Sequence, residues 1–228
     1  MPRMPTCTPV ADYGVLVTFA DMFEAGAHAR IRALDQALSH APIEGVTEWV
    51  PALVNLMVVF DPLQTDHGAV TQAVEHLLLE ADVAPTSGQT CVIDVCYDAP
   101  FAPDLAAVAK TTGMSRDGVI NAHLSGDYDV LMFGFAPGYG YLGGVPDAIY
   151  VPRKSAAVPG VPAGAVMIAD RQCLVTTLTM PTGWSVIGRS PTQILTGAAD
   201  APTAFQVGDR VQFNRISADD MARQGVTP

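Results

Sequence analysis

The chain has 228 residues, 49% of them hydrophobic and only 15% charged, which excludes a disordered polymer and leaves room for one large core or two small ones. Twelve Lys and Arg stand against 23 Asp and Glu, a formal charge of −11. Twelve scattered cations are too few for a surface that displaces counterions from nucleic acid or holds an anionic bilayer, so neither partner is expected.

No apolar run approaches the ~20 residues that cross a bilayer. The opening MPRMPTCTPVADYG lacks the continuous apolar stretch of a secretory signal. A cytoplasmic protein with reduced thiols is expected, since Cys7, Cys91, Cys96 and Cys173 form no CxxC. Cys91 and Cys96 lie five apart on a predicted strand and face opposite sides.

In chain order, residues 13–19 (YGVLVTF) are β-branched and aromatic and predict a strand. Residues 25–38 carry Ile31, Leu34 and Leu38 at helical spacing. Residues 46–50 and 53–60 predict two strands around Pro51-Ala52, and 71–80 predict a second helix with Asp66 as a nearby N-cap. The order β-α-β-β-α is that of a ferredoxin-like unit without its last strand. Residues 84–88 (APTSG) read as a linker, so an N-terminal α/β domain over 1–86 precedes a second domain over 87–228.

The second domain opens with a strand over 90–97. One helix is predicted after Pro103-Asp104, with Leu105, Val108 and Ala109 on one face. Another follows Ser115, with Val119 and Ile120 inside. Short strands over 128–133, 166–169, 173–178, 184–187 and 211–214 alternate with Gly and Pro turns, the pattern of a barrel or sandwich. The fold class is α+β.

Residues 133–146 (FGFAPGYGYLGGVP) mix five glycines, two prolines and four aromatics. Such a stretch makes either a rigid pocket wall that a ligand can approach or a tightly turned barrel corner. Arg153 and Arg189 are scarce cations beside turns. A guanidinium there meets a carboxylate or phosphate through two bonds, or pairs with a surface acid. His123 follows a helix; it is either a proton-transfer group or a satisfied core residue. His28, His40, His67 and His76 lack zinc-like spacing, and GxxxxGK[ST], GxSxG and HExxH do not occur. No metal site, serine triad or self-contained ATP site is therefore expected.

The runs CVIDVCY (91–97), PDLAAVAKTTGMSRDGVINAH (103–123), FGFAPGYGYLGGVP, VPR, VPAGAVMIA, PTGW and VIGRSP, spread over 13–215, closely resemble the family of the 5-oxoprolinase B subunit. That family is also described as allophanate hydrolase subunit 1, as half of the carboxyltransferase domain of biotin-dependent urea carboxylase, and as the kinase inhibitor KipI. The resemblance implies a small ferredoxin-like α/β domain followed by a cyclophilin-like β-barrel. It implies a larger homologous C subunit as partner, a third protein in the 5-oxoprolinase system, and little activity alone. The implied reaction is ATP-dependent opening of 5-oxoproline, a small cyclic amide, to glutamate. Carboxyl transfer of the allophanate or urea type and regulation of a kinase are the implied alternatives; prolyl isomerisation rests on the barrel analogy alone. His123, Arg153 and Arg189 become a catalytic constellation around an anionic group, with Phe135, Pro137, Gly138, Tyr139, Tyr141, Gln172, Pro181 and Gly183 binding substrate. The chain departs from the family pattern at Gly140, where a Pro is usual, at Thr182, and along 172–177 (QCLVTT) in place of QTGIYP.

Overall fold

Residues 4–80 and 88–227 are described by a computed structural model, in which the chain divides into two units, Met1–Thr86 and Ser87–Pro228. All but Gly88 of the linker expected at 84–88 lies outside the described residues.

In the first unit, β1 (Thr6–Val10), β2 (Gly14–Thr18), β3 (Val46–Pro51) and β4 (Asn55–Phe60) form an antiparallel sheet in the order β1-β2-β4-β3. Period-2 alternation on β4 buries Leu56, Val58 and Phe60. Two helices contribute to the same core: α1 (Ala25–His40) through Ile31, Leu34 and Leu38, and α2 (His67–Glu80) through Val70 and Val74. Asp66 Oδ1 accepts from the Ala69 amide at 2.9 Å and caps α2, as its position predicts. The strand that periodicity does not predict is β1. It hydrogen-bonds beside β2, at the edge a closing strand would take, and comes from the other end of the unit. Its burial pattern lacks an apolar face, and Pro9 is tolerable because β1 is an edge strand.

The second unit contains β5 (Thr90–Cys96), α3 (Leu105–Thr112), α4 (Arg116–Leu124), β6 (Tyr128–Phe133), β7 (Gly140–Gly143), β8 (Val158–Val161), β9 (Ala165–Ala169), β10 (Gln172–Val175), β11 (Met180–Thr182), β12 (Ser185–Arg189), β13 (Arg210–Ile216) and α5 (Ala218–Arg223). Seven strands close a barrel in the order β10-β7-β6-β13-β5-β12-β9, while β8 and β11 form a separate ribbon. Closure comes from β13 running parallel to β5, from Arg210↔Thr90 to Ile216↔Cys96. Ile93, Val95, Val130, Leu142, Ile168 and Ile187 are among the wholly buried residues of its core. The architecture is the expected α+β class, and of the two all-strand options it is the barrel.

Strands β7, β8 and β11 and helix α5 were not legible. Gly140 and Gly143 look like loop residues, yet they sit in β7 because neighbours fill the space a side chain would need. A Cβ on Gly140 would lie 2.4 Å from Phe205 Cε2, and one on Gly143 would lie 2.8 Å from Leu131 Cδ1. Gly140 is therefore a close-packing position. Ser115 Oγ caps α4 through the Gly118 amide at 3.0 Å. Asp104 precedes α3 but makes no side-chain cap. All four cysteines are unpaired, Cys96 and Cys173 being buried. Among the described residues no helix is long and apolar enough to cross a membrane.

Candidate functional site

After β6 the chain bends through residues 134–139 before returning as β7. Phe135 (φ 72°) and Gly138 (φ 73°) take left-handed conformations. The bend is held by the Ala136 amide on the Gly134 carbonyl (2.9 Å), the Tyr139 amide on the Ala136 carbonyl (3.1 Å), and Thr177 Oγ1 donating to the Pro137 carbonyl (2.6 Å). A non-glycine residue at positive φ is sustained only where its surroundings enforce it. Here it leaves the Phe135 ring 77% exposed and 5.7 Å from the buried Tyr139 ring.

The bend and β7 form one wall of a cavity of ≈ 220 Å³; the turn from β11 to β12 forms the other. Tyr139, Tyr141, Pro181, Gly183 and Trp184 line it, with Tyr141 and Trp184 edge to face at 6.0 Å. Thr182 Oγ1 accepts from the Trp184 amide at 3.1 Å, so the hydroxyl that departs from the family pattern holds the turn.

Arg153 completes the cavity, its Cζ 5.8 Å from the Trp184 ring centroid. The segment carrying it is fixed on both sides. The Asp170 amide donates to the Val151 carbonyl at 2.7 Å, and the Lys154 amide to the Gly183 carbonyl at 2.7 Å. Lys154 Nζ donates to Asp104 Oδ2 at 2.6 Å, and the Val186 amide donates to the same oxygen at 2.7 Å. Asp104 and Trp184 were missed as site-supporting residues. Asp104 reads as a helix cap from its position, and only the PTGW turn flags the tryptophan.

Six of the sequence-derived site residues thus meet: Phe135, Tyr139, Tyr141, Arg153, Pro181 and Gly183. Pro137 and Gly138 line an adjoining apolar groove with Phe133, Leu195 and Pro202, which shares Phe135 with the cavity. Gln172 opens β10 opposite Ala169 and lines neither space. Arg189 lies elsewhere, in a cavity of ≈ 340 Å³ that has no lining residue in common with that of Arg153.

His123 belongs to neither cavity. Helical spacing turns it inward with Val119 and Ile120 on α4, and it is 0% exposed. Its Nδ1 lies 2.7 Å from Tyr97 Oη and its Nε2 3.5 Å from Cys173 Sγ, and its carbonyl accepts from Tyr128 Oη at 2.9 Å. The Phe213 ring is 4.4 Å away. Burial lowers the imidazole pKa to about 3 and pushes the Cys173 thiol far up, so both stay neutral. The expected convergence of His123, Arg153 and Arg189 is corrected: a neutral core histidine and two guanidiniums occupy three places.

Among the described residues no carboxylate pairs with Arg153. The cavity therefore offers two planar aromatic surfaces and an uncommitted fork of donors, suited to a small, flat ligand with one anionic group.

The model of the family "Carboxyltransferase domain, subdomain C and D" matches residues 5–205. The chain is 33% identical over 222 residues to the B subunit of 5-oxoprolinase from Bacillus subtilis, covering 92% of each protein. It is 31% identical over 210 residues to the B subunit of 5-oxoprolinase from Escherichia coli O157:H7, covering 91% of this chain and 94% of that protein. Among solved structures, TTHA0988 superposes with a TM-score of 0.79 at 31% identity over 90% of this chain; the match spans 40% of that longer chain. The K. lactis urea amidolyase superposes with a TM-score of 0.78 over 96% of this chain and 15% of that enzyme; at 14% identity this likeness is one of fold. The family match runs through both units and takes in every residue of the aromatic cavity, and the chain belongs to the carboxyltransferase domain, subdomain C and D family.

Proposed function

We propose that this protein is one subunit of an ATP-dependent enzyme that opens a small cyclic amide, 5-oxo-L-proline, to L-glutamate. The observation that carries this reading is the aromatic cavity with an unpaired Arg153 at its edge. The similarity to two proteins named as the B subunit of 5-oxoprolinase supports it. 5-Oxoproline is a flat five-membered lactam bearing one carboxylate. Arg153 holds that carboxylate through paired charged hydrogen bonds while the ring lies against Tyr141 and Trp184.

The chemistry needs groups this chain does not bring to the cavity. No GxxxxGK[ST] phosphate loop occurs in the sequence, and His123 is neutral and enclosed. ATP and the proton-transfer groups are therefore supplied in the assembled enzyme, with a larger homologous C subunit and a third protein, and this chain alone turns over little. Four unpaired cysteines suit the reducing cytoplasm.

Co-expression with the larger subunit tests this. The two should co-elute, and together with the third protein should release glutamate from 5-oxoproline with ATP consumption. Arg153→Ala should cut turnover about 10- to 100-fold, the loss of hydrogen bonds to a charged group. Turnover of urea or allophanate in place of 5-oxoproline would move the assignment to the carboxyltransferase branch. Full activity of this chain alone would reject the obligate partner.

A further inference from the structure

We propose that the cavity around Arg189 is a second binding site, built for the carboxylate or phosphate group of a small metabolite. It stands on residues separate from the aromatic cavity and does not depend on the function proposed for that cavity.

Two backbone carbonyls fix the guanidinium. Nε lies 3.3 Å from the Ala163 carbonyl oxygen and Nη1 2.9 Å from that of Thr227. Among the described residues no carboxylate pairs with Arg189, and Nη2 has no protein partner. Carbonyls hold a guanidinium in place without neutralising it, so its charge and half its fork stay available.

The adjoining hydroxyls are arranged as donors. Ser190 Oγ accepts from the Thr192 amide at 3.1 Å, and Thr192 Oγ1 accepts from the Asp94 amide at 3.3 Å. Each oxygen has used a lone pair on a backbone N–H, leaving its own proton to give. Gln193 lines the same cavity.

Among the described residues no Asp or Glu lines this space, in a chain with 23 of them. Asp94, whose backbone touches Thr192, directs its carboxylate to Asn214 Nδ2 at 2.7 Å. A cavity that gathers donors and excludes carboxylates in so acidic a chain is matched to an anion. Its ≈ 340 Å³ far exceeds the space of one water, about 30 Å³. Ile194, Leu195 and Val226 supply an apolar side, so the anionic group belongs to a small organic molecule.

The test is calorimetric titration of the full chain with inorganic phosphate, pyrophosphate and succinate, which separates phosphate from carboxylate recognition. At least one should bind with 1:1 stoichiometry. Arg189→Ala should weaken it about 10- to 100-fold, the cost of a lost hydrogen bond to a charged group. Arg189→Lys should recover part of that, because an ammonium lacks the fork. Because Arg189 also ties two backbone segments, Thr192→Val and Gln193→Ala provide a second test. Each should weaken binding several-fold; Gln193→Ala should leave the melting curve unchanged, whereas Thr192→Val should melt somewhat lower because the Asp94 amide loses its acceptor. Arg153→Ala should leave binding intact. The proposal is overturned if no probe binds in the millimolar range, if Arg189→Ala, Thr192→Val and Gln193→Ala all bind as wild type does, or if Arg153→Ala abolishes binding.

Discussion

Asp104 Oδ2 is shared by the Lys154 ammonium at 2.6 Å and the Val186 amide at 2.7 Å. One carboxylate thereby joins the start of α3, strand β12 and the segment that carries Arg153. Both charged side chains are about three-quarters buried, at 26% and 23% exposure, so the pair is less screened than a surface bridge.

Replacing either partner should therefore cost unequal amounts. Lys154→Ala removes one charged hydrogen bond. Asp104→Ala removes two and leaves the Val186 amide without its acceptor. Charged hydrogen bonds contribute about 1.5–3 kcal/mol each, so Asp104→Ala should destabilise more than Lys154→Ala by at least about 1 kcal/mol. Urea unfolding of the two variants checks this, and equal midpoints would contradict it.

The buried imidazole gives the protein a defined acid sensitivity. His123 has its pKa lowered to about 3 in the folded chain, against an ordinary value of about 6.5. Between these values the unfolded chain binds a proton that the folded chain does not. The proton-number difference is positive, so stability rises with pH there and falls on acidification, by up to about 1.4 kcal/mol per pH unit. Above about pH 6.5 this contribution is flat. Stability measured from about pH 7 down to about pH 4 should fall less steeply in His123→Gln, by close to one proton equivalent. Parallel curves would remove His123 as the source.

Cys173 and His123 have the residue types of a nucleophilic pair, 3.5 Å apart, but the wrong surroundings. An ion pair of thiolate and imidazolium requires solvation or a counter-charge, and burial pushes the thiol up and the imidazole down. Cys96 is likewise buried, while Cys7 and Cys91 are half-buried. Iodoacetamide at neutral pH should modify Cys7 and Cys91 first and reach Cys96 and Cys173 only on unfolding. Peptide mass spectrometry reads the order; early labelling of Cys173 in the native protein would refute it.

The glycines should separate by what surrounds them. Gly144 has φ +95°, and a Cβ there would lie 1.9 Å from the Asp127 carbonyl oxygen. Gly197 has φ +77° and nothing within 4 Å of an added Cβ. Backbone strain applies to both and costs about 1–3 kcal/mol. Only Gly144 adds a collision with backbone that cannot move aside. Gly144→Ala should yield little folded protein, whereas Gly197→Ala should fold and melt a few degrees lower.

Periodicity and caps carried much of the fold in the sequence. The helical stripe of Ile31, Leu34 and Leu38 and the caps at Asp66 and Ser115 act locally, and the structure follows them. What stayed illegible depends on distant partners. Strand β7 exists because Phe205 and Leu131 occupy the space beside two glycines, and β1 because β2 offers it an edge. The site divides the same way. The aromatic stretch and PTGW turn were visible and meet Arg153. Charge scarcity drew attention to Arg189 without placing it, and the inward turn of His123 follows from a helix face that the sequence left open between core and catalysis.

The parallel pairing of β5 with β13 carries a consequence for biosynthesis. Partner residues such as Asp94 and Asn214 are separated by 120 positions. At ribosomal rates of ~5–20 residues per second, β5 waits roughly 6–24 s for the strand that closes the barrel. Through that interval β5 and β6 expose unpaired edges, the surface that templates aggregation. Nascent chains halted before Arg210 should therefore depend on holdase chaperones, and release should come only as β13 clears the exit tunnel.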